Sequence, residues 1–305
     1  MSGSLRLPQS DGVIATALAE DLGVAADDVL HGVGGLLERD VTGSLLPSSA
    51  RFSGVVRARR SGVVCGLPIA VRTFEMLARA AGVEPPDCFP LVAEGAAVSG
   101  GDGVLEVDGL SRVVLAAERS ALDLLMVLSG IATESARWQK AAGPSLAVVD
   151  TRKTLPGLRA LSKYAVRVGG ATNHRMGLHD MVLVKDNHIA AAGGVTSAVE
   201  RARRLSPDLL VEVEADTVEL AAEAAAAGAD MVLLDNMDDA TLAVAVSAVR
   251  AATPAGARCL TEASGGVTFD RLPALAALGL DRVSSSAITL TPPLDLGLDE
   301  REVRA

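Results

Sequence analysis

The chain has 305 residues, of which 49% are hydrophobic, and a formal net charge of −10 at pH 7. This length suits one large domain or two smaller ones, and the acidic balance argues against a general role at nucleic acids or membrane surfaces. Three cysteines without a CxxC pair are typical of reduced thiols, and no apolar run reaches the roughly 18 residues that span a membrane. The N-terminus lacks the apolar segment of a secretion signal, so a cytoplasmic location is expected.

The first part of the chain is predicted to be of mixed α+β type. Apolar residues recur at helical spacing in some segments, and β-branched residues indicate strands between them. In chain order the predicted elements are a disordered start (1–10), a helix (11–22), a strand (51–58), a helix closed by Gly82 (67–82), strands interrupted by a turn at 100–103 (87–108), and two helices separated at Ser129 and Gly130 (112–142).

Beyond residue 145, short apolar strands alternate regularly with helices. This pattern indicates parallel βαβ units, because strands covered by helices on both faces are short and apolar throughout. With only about six units a complete eight-stranded barrel is not assured, and a doubly wound sheet is the main alternative. The predicted strands are 146–150, 181–184, 209–213, 230–234, 258–261 and 280–284, and the helices include 216–227 and 238–251.

Lysine usage singles out one window of the chain. Only four of the 28 basic residues are lysines, and Lys153, Lys163 and Lys185 all lie between residues 151 and 188. Where a chain that otherwise uses arginine keeps lysine, the position is expected to need a compact ammonium group that arginine cannot replace. A basic window in an acidic chain predicts an anionic small-molecule ligand. The alternative is a solvated helix face, which would account for Arg159, Lys163 and Arg167.

Polar residues recur just after the C-terminal ends of the predicted strands. In a βα barrel, side chains at these positions converge on one mouth, where active sites are built. Helix capping would explain any single strand-end aspartate equally well, but it explains six polar strand ends in succession poorly. The six positions are 150–153, 185–188, 214, 235–236, 262–266 and 284–286.

The basic members of this set are Arg152, Lys153, Lys185 and, from a glycine-rich connection, His174 and Arg175. Arginine binds planar carboxylates in a bidentate manner, and lysine acts as a point charge toward phosphate or carboxylate. Together they suit a ligand with several carboxylates or phosphates. Because Lys185 follows an apolar strand, a Schiff-base role as in a class I aldolase is also open.

The acidic members, Glu214 and Asp235, follow consecutive strands. They could hold Mg²⁺, bind sugar hydroxyls or stabilise a cationic transition state. The alternative is a salt-bridged pair that balances the lysines and arginines. The small-residue segments 263–266 and 284–287 suit phosphate, because their N–H groups can approach an anion, although turns that begin helices commonly have this composition.

Long motifs inside this window, and others on both sides of it, occur in a fixed order. They are AER (117–119), LSGIAT (128–133), DTRKT (150–154), KYAVR (163–167), NHR (173–175), LVKDNH (183–188), EVE (212–214), LLDN (233–236), ASGG (263–266) and LDLGLD (294–299). With these motifs the chain resembles the quinolinate phosphoribosyltransferase family over nearly its whole length from about residue 20.

The resemblance implies an α/β fold, with an N-terminal α+β open sandwich (1–128) and an incomplete α/β barrel of about six to seven parallel strands (129–290). The tail 291–305 would be able to pack back on the sandwich. It also implies an obligate homodimer with shared active sites. The implied reaction transfers phosphoribosyl from phosphoribosyl pyrophosphate to quinolinate with Mg²⁺, giving nicotinate mononucleotide, CO₂ and pyrophosphate for NAD biosynthesis.

The resemblance also implies roles for individual residues. Lys153, Lys185, Glu214 and Asp235 would be catalytic, and Glu214 and Asp235 would hold the metal. The implied quinolinate-binding residues are Arg119, reaching into the neighbouring subunit's site, Thr151, Arg152, His174, Arg175 and Lys185. The implied phosphoribosyl-binding residues are Lys153, Glu214, Asp235, Ser264, Gly265, Gly266, Ser284, Ser285 and Ser286.

Some positions depart from the family pattern. Ser286 stands where glycine is usual, Leu290 and Thr291 replace a usual His-Ser, and Asp123 stands where asparagine is common. Ser286 would be strained if its φ were positive, and otherwise it would add a phosphate donor. These departures bear on donor binding, and they leave open a paralogue that acts on, or only binds, another pyridine carboxylate.

Overall fold

The computed structural model describes residues 5–301 of the chain as two compact units. The first unit takes in the described residues up to Glu134, residues 155–169, and those from Thr291 onward. The second comprises residues 135–154 and 170–290. This division differs from the predicted boundary at residues 128–129. It falls inside a continuous helix, and it assigns 155–169 to the first unit rather than to the barrel.

The described residues form helices, strands and short 3-10 turns. The helices are α1 (Asp11–Leu22), α2 (Ala26–His31), α3 (Leu67–Ala80), α4 (Ser111–Ala142), α5 (Arg159–Val168), α6 (Asp186–Ala192), α7 (Val195–Leu205), α8 (Val218–Ala226), α9 (Asp239–Ala252) and α10 (Leu272–Ala277). The strands are β1 (Arg51–Ala58), β2 (Gly62–Val63), β3 (Asp87–Pro90), β4 (Ala97–Val98), β5 (Gly103–Leu110), β6 (Ala147–Val149), β7 (Val182–Val184), β8 (Val211–Ala215), β9 (Met231–Asp235), β10 (Leu260–Ser264), β11 (Arg282–Ser284) and β12 (Leu296–Glu300). The 3-10 turns span Leu37–Arg39, Gly43–Leu45, Phe269–Arg271 and Ser286–Ile288. Within residues 5–301, no helix combines the length and apolar character that crossing a membrane requires.

The first unit is built on an antiparallel sheet with the strand order β12-β1-β5-β3. The helix predicted at 11–22 and the strand predicted at 51–58 are confirmed as α1 and β1. β12, from the C-terminal tail, pairs with β1 from Gly54 opposite Glu300 to Ala58 opposite Leu296. Residues 5–10 form no helix or strand, and the first four residues of the predicted disordered start lie outside the described part.

The two helices predicted within 112–142 are a single helix, α4. Ser129 and Gly130 do not interrupt it, because both serve close packing instead. Ser129 Oγ accepts from the N–H of Cys65 at 2.9 Å. A Cβ at Gly130 would lie 2.5 Å from the carbonyl oxygen of Pro292, so only glycine allows this segment to approach the helix. The small residues Ser129 and Gly130, which suggested a break in the helix, are therefore positions where other segments pack closely against α4.

The helix α5 contradicts the predicted solvated face at Arg159, Lys163 and Arg167. Arg167 is exposed, but Lys163 is only 1% exposed, which makes it one of the largest fully buried side chains among the described residues. The neighbouring Tyr164 is also buried, and its hydroxyl donates to Glu94 Oε1 at 3.1 Å. Lys163 is therefore an interior residue of the first unit, and the charge pattern alone could not show this.

The second unit is built on a parallel sheet of six strands in the order β6-β11-β10-β9-β8-β7. Each strand from β7 to β11 lies beside its successor, and β11 lies beside β6. A doubly wound sheet would reverse direction within this order, so the order is that of an opened barrel. This confirms the incomplete α/β barrel. At the edge strand β6, Thr172 forms a parallel bridge to Val149.

Two barrel strands lie further along the chain than predicted. β8 covers Val211–Ala215 rather than 209–213, and β10 covers Leu260–Ser264 rather than 258–261. Glu212 lies inside both the predicted strand and β8, whereas Glu262 lies beyond the predicted strand but inside β10; both are fully buried. Strand prediction relies on apolar runs, and the carboxylate of Glu262 breaks such a run, so the strand was expected to end before it.

Candidate active site

The barrel brings the predicted strand-end residues to one edge of its sheet. Strands β7 to β11 and β6 are parallel neighbours, so their C-terminal ends lie together. Lys185 directly follows β7, Glu214 lies near the end of β8, and Asp235 ends β9. Asp235 pairs in register with Ser264 at the end of β10. The polar strand ends therefore form a continuous edge, as the sequence predicted.

Two lysines and two carboxylates share one electrostatic environment at this edge. Lys185 Nζ lies 2.5 Å from Glu214 Oε2. Burial raises the pKa of Asp235, and the charge of Glu214 raises it further, whereas the charges of Lys185 and Lys153 act in the opposite direction. The ion pair agrees with the salt-bridge alternative for Glu214. It also argues against a Schiff base at Lys185, because an ammonium held by a carboxylate is a poor nucleophile.

Two guanidinium groups lie near each other in the same unit. Burial lowers the pKa of Arg175, and the positive charge of Arg152 lowers it further. Arg152 Nε is buried and has no hydrogen-bond partner. Arg175 Nη1 donates to the carbonyl of Met181 at 3.4 Å, a long hydrogen bond. Two partly buried cations that repel each other would be stabilised by an anion between them.

His174 has protein partners on both ring nitrogens. Its Nε2 lies 2.8 Å from Glu212 Oε2, and its Nδ1 accepts from the N–H of Arg175 at 2.8 Å. The side chain is 7% exposed. Burial opposes the charged ring, but the hydrogen bond to Glu212 and the charges of Glu212 and Glu262 outweigh it and raise the pKa of His174. Direct binding of quinolinate by His174 stays a prediction, and its ring nitrogens are already used within the protein.

Glu212, Glu262 and Arg282 form a buried charged cluster around His174 that sequence reasoning missed. Arg282 Nε lies 3.1 Å from Glu262 Oε2, and His174 Nε2 lies 3.7 Å from Glu262 Oε1. Burial and the charge of Glu212 raise the pKa of Glu262 to about 7, against the charges of Arg282 and His174. Glu262 is a strand-interior residue, not part of the loop to which the sequence assigned it. The one available signal was a glutamate inside each of two strands, Glu212 in β8 and Glu262 in β10.

Asp150 anchors the segment that carries His174 and Arg175. It is fully buried, and its carboxylate accepts from Asn173 Nδ2 at 2.7 Å and from the N–H of His174 at 2.8 Å. A carboxylate that accepts several hydrogen bonds holds its donors firmly. Asp150 therefore has a structural role at the base of the site. Thr151 Oγ1 accepts from the N–H of Lys153 at 3.0 Å, which shapes the turn after β6.

The glycine-rich loop after β10 is tightly constrained. Gly265 has a φ of +78°, and a Cβ there would overlap the side-chain oxygen of Asn236. Asn236 itself has a φ of 57°, and its N–H donates to the carbonyl of Ser264 at 2.9 Å. Its side-chain amide donates to Asp235 Oδ2 at 2.7 Å. Asn236 therefore links the loop to the carboxylate of Asp235. Gly266, the next residue of the loop, also has a positive φ, of +57°.

The serine loop after β11 is free of the strain that Ser286 could have introduced. Among the described residues, Asn236 is the only non-glycine residue with a positive φ. Ser286 begins a 3-10 turn, and Ser285 Oγ accepts from the N–H of Ala287 at 3.3 Å. Thr289 Oγ1 donates to the carbonyl of Lys153 at 2.8 Å, which ties this turn to the loop after β6. Ser284 ends β11 and is buried.

Arg119 belongs to the first unit, on α4. Its guanidinium forms an ion pair with Asp123 one turn along the helix, with an N–O distance of 3.4 Å. The Arg119 side chain is 62% exposed. A surface pair of this kind contributes little to stability, so it would not prevent Arg119 from binding another group.

Comparison with known proteins shows which family this chain resembles in sequence. Residues 131–299 match the C-terminal domain of quinolinate phosphoribosyl transferase, and residues 40–129 match its N-terminal domain. The chain is 46% identical over 245 residues to the probable nicotinate-nucleotide pyrophosphorylase (carboxylating) of Synechocystis sp., covering 79% of this chain and 80% of that protein. It is 39% identical over 262 residues to the nicotinate-nucleotide pyrophosphorylase (carboxylating) of Mycobacterium leprae, covering 85% and 89%.

The fold comparison agrees with the sequence comparison. The crystal structure of NadC from Streptococcus pyogenes superposes with a TM-score of 0.84 at 33% identity, covering 99% of this chain and 100% of that one. The nicotinate-nucleotide pyrophosphorylase from Francisella tularensis gives a TM-score of 0.83 at 31% identity, covering 99% and 100%. Both domains, their order and nearly the full length therefore correspond. The chain belongs to the quinolinate phosphoribosyltransferase family.

Proposed function

We propose that this chain transfers the phosphoribosyl group of phosphoribosyl pyrophosphate to quinolinate, releasing pyrophosphate and CO₂ and giving nicotinate mononucleotide for NAD biosynthesis. The names of its relatives support this reaction, and so does a cationic site in a chain whose net charge is −10. We place the enzyme in the cytoplasm, in keeping with the three free cysteines Cys65, Cys88 and Cys259.

The observation that carries the proposal is the pair of guanidinium groups on Arg152 and Arg175. Quinolinate has two adjacent carboxylates, and arginine binds carboxylates in a bidentate manner. Each of these arginines is partly buried, the two repel each other, and Arg152 Nε has no partner. A dianion would satisfy both groups at once. Binding would also orient the ring, with its nitrogen held for attack.

The four ionic residues at the ends of β6 to β9 suit the phosphoribosyl donor. Lys153 and Lys185 supply the positive charge that a pyrophosphate group needs. Glu214 and Asp235 supply negative charge, which would stabilise the cationic character that develops on the ribose as pyrophosphate leaves. After burial, the charge of Glu214 is the next cause of the raised pKa of Asp235, and the charges of Lys185 and Lys153 oppose it, in keeping with a shared site.

The chemistry needs little acid–base catalysis from the protein. The ring nitrogen forms a bond to the anomeric carbon while the bond from that carbon to pyrophosphate oxygen breaks. The nitrogen is then positively charged, so the electron pair left at C2 when the C2–carboxylate bond breaks is stabilised. That pair takes a proton from solvent. Positioning and electrostatics by Arg152, Arg175, Lys185 and the carboxylates therefore supply most of the catalysis.

Glu214 and Asp235 also fit a magnesium ion. They lie on neighbouring strands, and the charge of one raises the pKa of the other, so a shared cation would relieve their repulsion. When bound, Mg²⁺ would neutralise part of the donor's pyrophosphate charge. The loops at Ser264–Gly266 and Ser284–Ser286 would then bind the 5′-phosphate through backbone N–H groups and hydroxyls.

We also propose that the enzyme acts as a homodimer in which Arg119 of each subunit completes the neighbouring site. The exposed position of Arg119 and its weak surface pair with Asp123 support this arrangement. A third arginine would add further hydrogen-bond donors to the carboxylates held by Arg152 and Arg175.

The direct test is a turnover assay with quinolinate, phosphoribosyl pyrophosphate and Mg²⁺, with nicotinate as the parallel substrate. We expect nicotinate mononucleotide and CO₂ from quinolinate alone. Lys185→Ala and Arg152→Ala should each lose activity by at least about a hundredfold, because each removes a charged contact to a reacting group. Arg204→Ala is the matched control, since Arg204 is 69% exposed on α7. Near-normal activity in Lys185→Ala or Arg152→Ala would refute the assignment of these residues to the site. Product formed with nicotinate but not with quinolinate would refute quinolinate as the substrate.

A further inference from the structure

The imidazole of His174 is held in one orientation by partners on opposite sides. Glu212 Oε2 lies 2.8 Å from Nε2, and the N–H of Arg175 donates to Nδ1 at 2.8 Å. A ring nitrogen that accepts from a backbone N–H carries no proton. The proton of the neutral ring is therefore on Nε2, where it is donated to Glu212.

We propose that Glu212, supported by Glu262 and Arg282, is a positioning residue that holds His174 as the Nε2–H tautomer and thereby aims Arg175 at the quinolinate carboxylates. Glu212 does not need to touch substrate for this role. It acts through His174, whose Nδ1 fixes the backbone from which the Arg175 side chain projects. The inference deepens the proposed function and rests on it for its catalytic consequence, but the tautomer itself does not depend on that function.

The charges around His174 fit this arrangement. The groups that face it include Glu212 on β8, Glu262 on β10 and Arg282 on β11, and Asp150 accepts from its backbone N–H. Arg282 balances one glutamate, so the cluster is neutral when one further proton lies on His174 or Glu262. A proton on Nδ1 would break the hydrogen bond from Arg175, whereas a buried carboxyl accepts a proton readily. The hydrogen bond from the N–H of Arg175 therefore opposes a proton on Nδ1, against the two carboxylates that favour the charged ring.

The same partners restrain the whole segment before the site arginine. Asp150 binds the side chain of Asn173 and the N–H of His174, and Glu212 binds the ring of His174. Both carboxylates are fully buried, so neither contact is weakened by solvent. Loss of the Glu212 contact alone would let the ring turn and release the N–H of Arg175. The expected result is poor placement of the guanidinium, not loss of the fold.

The tautomer can be measured directly by NMR of the protein with ¹⁵N-labelled histidine. The chain has four histidines, so His174→Gln suffices to identify the resonance of His174. At about pH 8 we expect its ring to be neutral, with the proton on Nε2 and an Nδ1 shifted by a hydrogen bond. A proton on Nδ1, or a doubly protonated ring at that pH, would overturn the proposal.

The consequence for binding can be measured with two variants of similar size. Glu212→Gln keeps an oxygen that accepts from Nε2–H, whereas Glu212→Met fills the space without an acceptor. We expect Glu212→Met to raise the KM for quinolinate by about tenfold or more, with kcat changed less, and Glu212→Gln to stay within about threefold of the parent. The control is Glu219→Gln on the exposed face of α8.

The outcomes separate the two proposals. Equal KM values for the Gln and Met variants, both folded by circular dichroism, would show that Glu212 only fills space and would overturn the positioning role. If the parent protein forms no nicotinate mononucleotide, the proposed function fails, and the NMR result still decides the tautomer. If Glu212→Met does not fold, the NMR measurement on the parent protein remains decisive.

Discussion

Replacement of Glu262 by glutamine should make the protein more stable, relative to the parent, at alkaline pH than at acidic pH. Glu262 is fully buried, and burial together with the charge of Glu212 raises its pKa from 4.5 to about 7. Between these values the folded protein keeps a proton that the unfolded chain has lost. A state that binds more protons is favoured at low pH, so this contribution to stability declines as the pH rises from about 4.5 to about 7.

The size of the effect follows from the shift. One pKa unit corresponds to about 1.4 kcal/mol, so a rise from 4.5 to about 7 corresponds to about 3 kcal/mol once Glu262 is ionised in both states. Glutamine has nearly the same shape and carries no charge at any pH. The free energy of unfolding of Glu262→Gln, compared with that of the parent, should therefore increase by about 3 kcal/mol between mildly acidic and alkaline pH.

Urea unfolding of both proteins at about pH 5, pH 7 and pH 9 measures this difference. Any constant change caused by the new amide drops out, because only the dependence on pH is compared. Glu219→Gln on the exposed face of α8 is the control, and its curve should run parallel to that of the parent. If the curve of Glu262→Gln also runs parallel to the parent's, Glu262 is already ionised in the folded protein and the buried-proton reasoning is wrong.

Three further predictions follow from the loops and the proposed dimer. Gly265→Ala should destabilise the protein by about 1–3 kcal/mol and weaken donor binding, because the φ of Gly265 is +78° and the new Cβ would overlap Asn236. Thermal unfolding measures the loss of stability, and the control is Gly12→Ala, because Gly12 has open space around it. Ser286→Gly should not raise the melting temperature, since Ser286 has no positive φ to relieve, and a clear gain would contradict that geometry. Mixed Arg119→Ala and Lys185→Ala subunits should recover about a quarter of parental activity through heterodimers, and no recovery despite proven subunit exchange would contradict the shared site.

Prediction from the sequence worked best where local pattern and chemistry coincide. The alternation of apolar strands and helices predicted the parallel barrel sheet, and polar residues after each strand predicted the edge at which Lys185, Glu214 and Asp235 lie together. Prediction from the sequence failed where the structural role of a residue depends on which other residues pack against it. Gly130 suggested a helix break but allows close approach of Pro292, and Lys163 suggested a solvated face but is buried.

The amino-acid sequence by itself determined the family, through the resemblance of its ordered motifs, and with it the order of the two domains. It also determined the set of ionic residues available for the site. Only the tertiary structure decided which ionic groups are buried together. Glu212, Glu262, Arg282 and His174 come from three strands and a loop, so nothing in their spacing along the chain reveals the cluster. The pKa of Glu262 and the partners of both His174 nitrogens are consequences of that packing, since burial and neighbouring charge act through space.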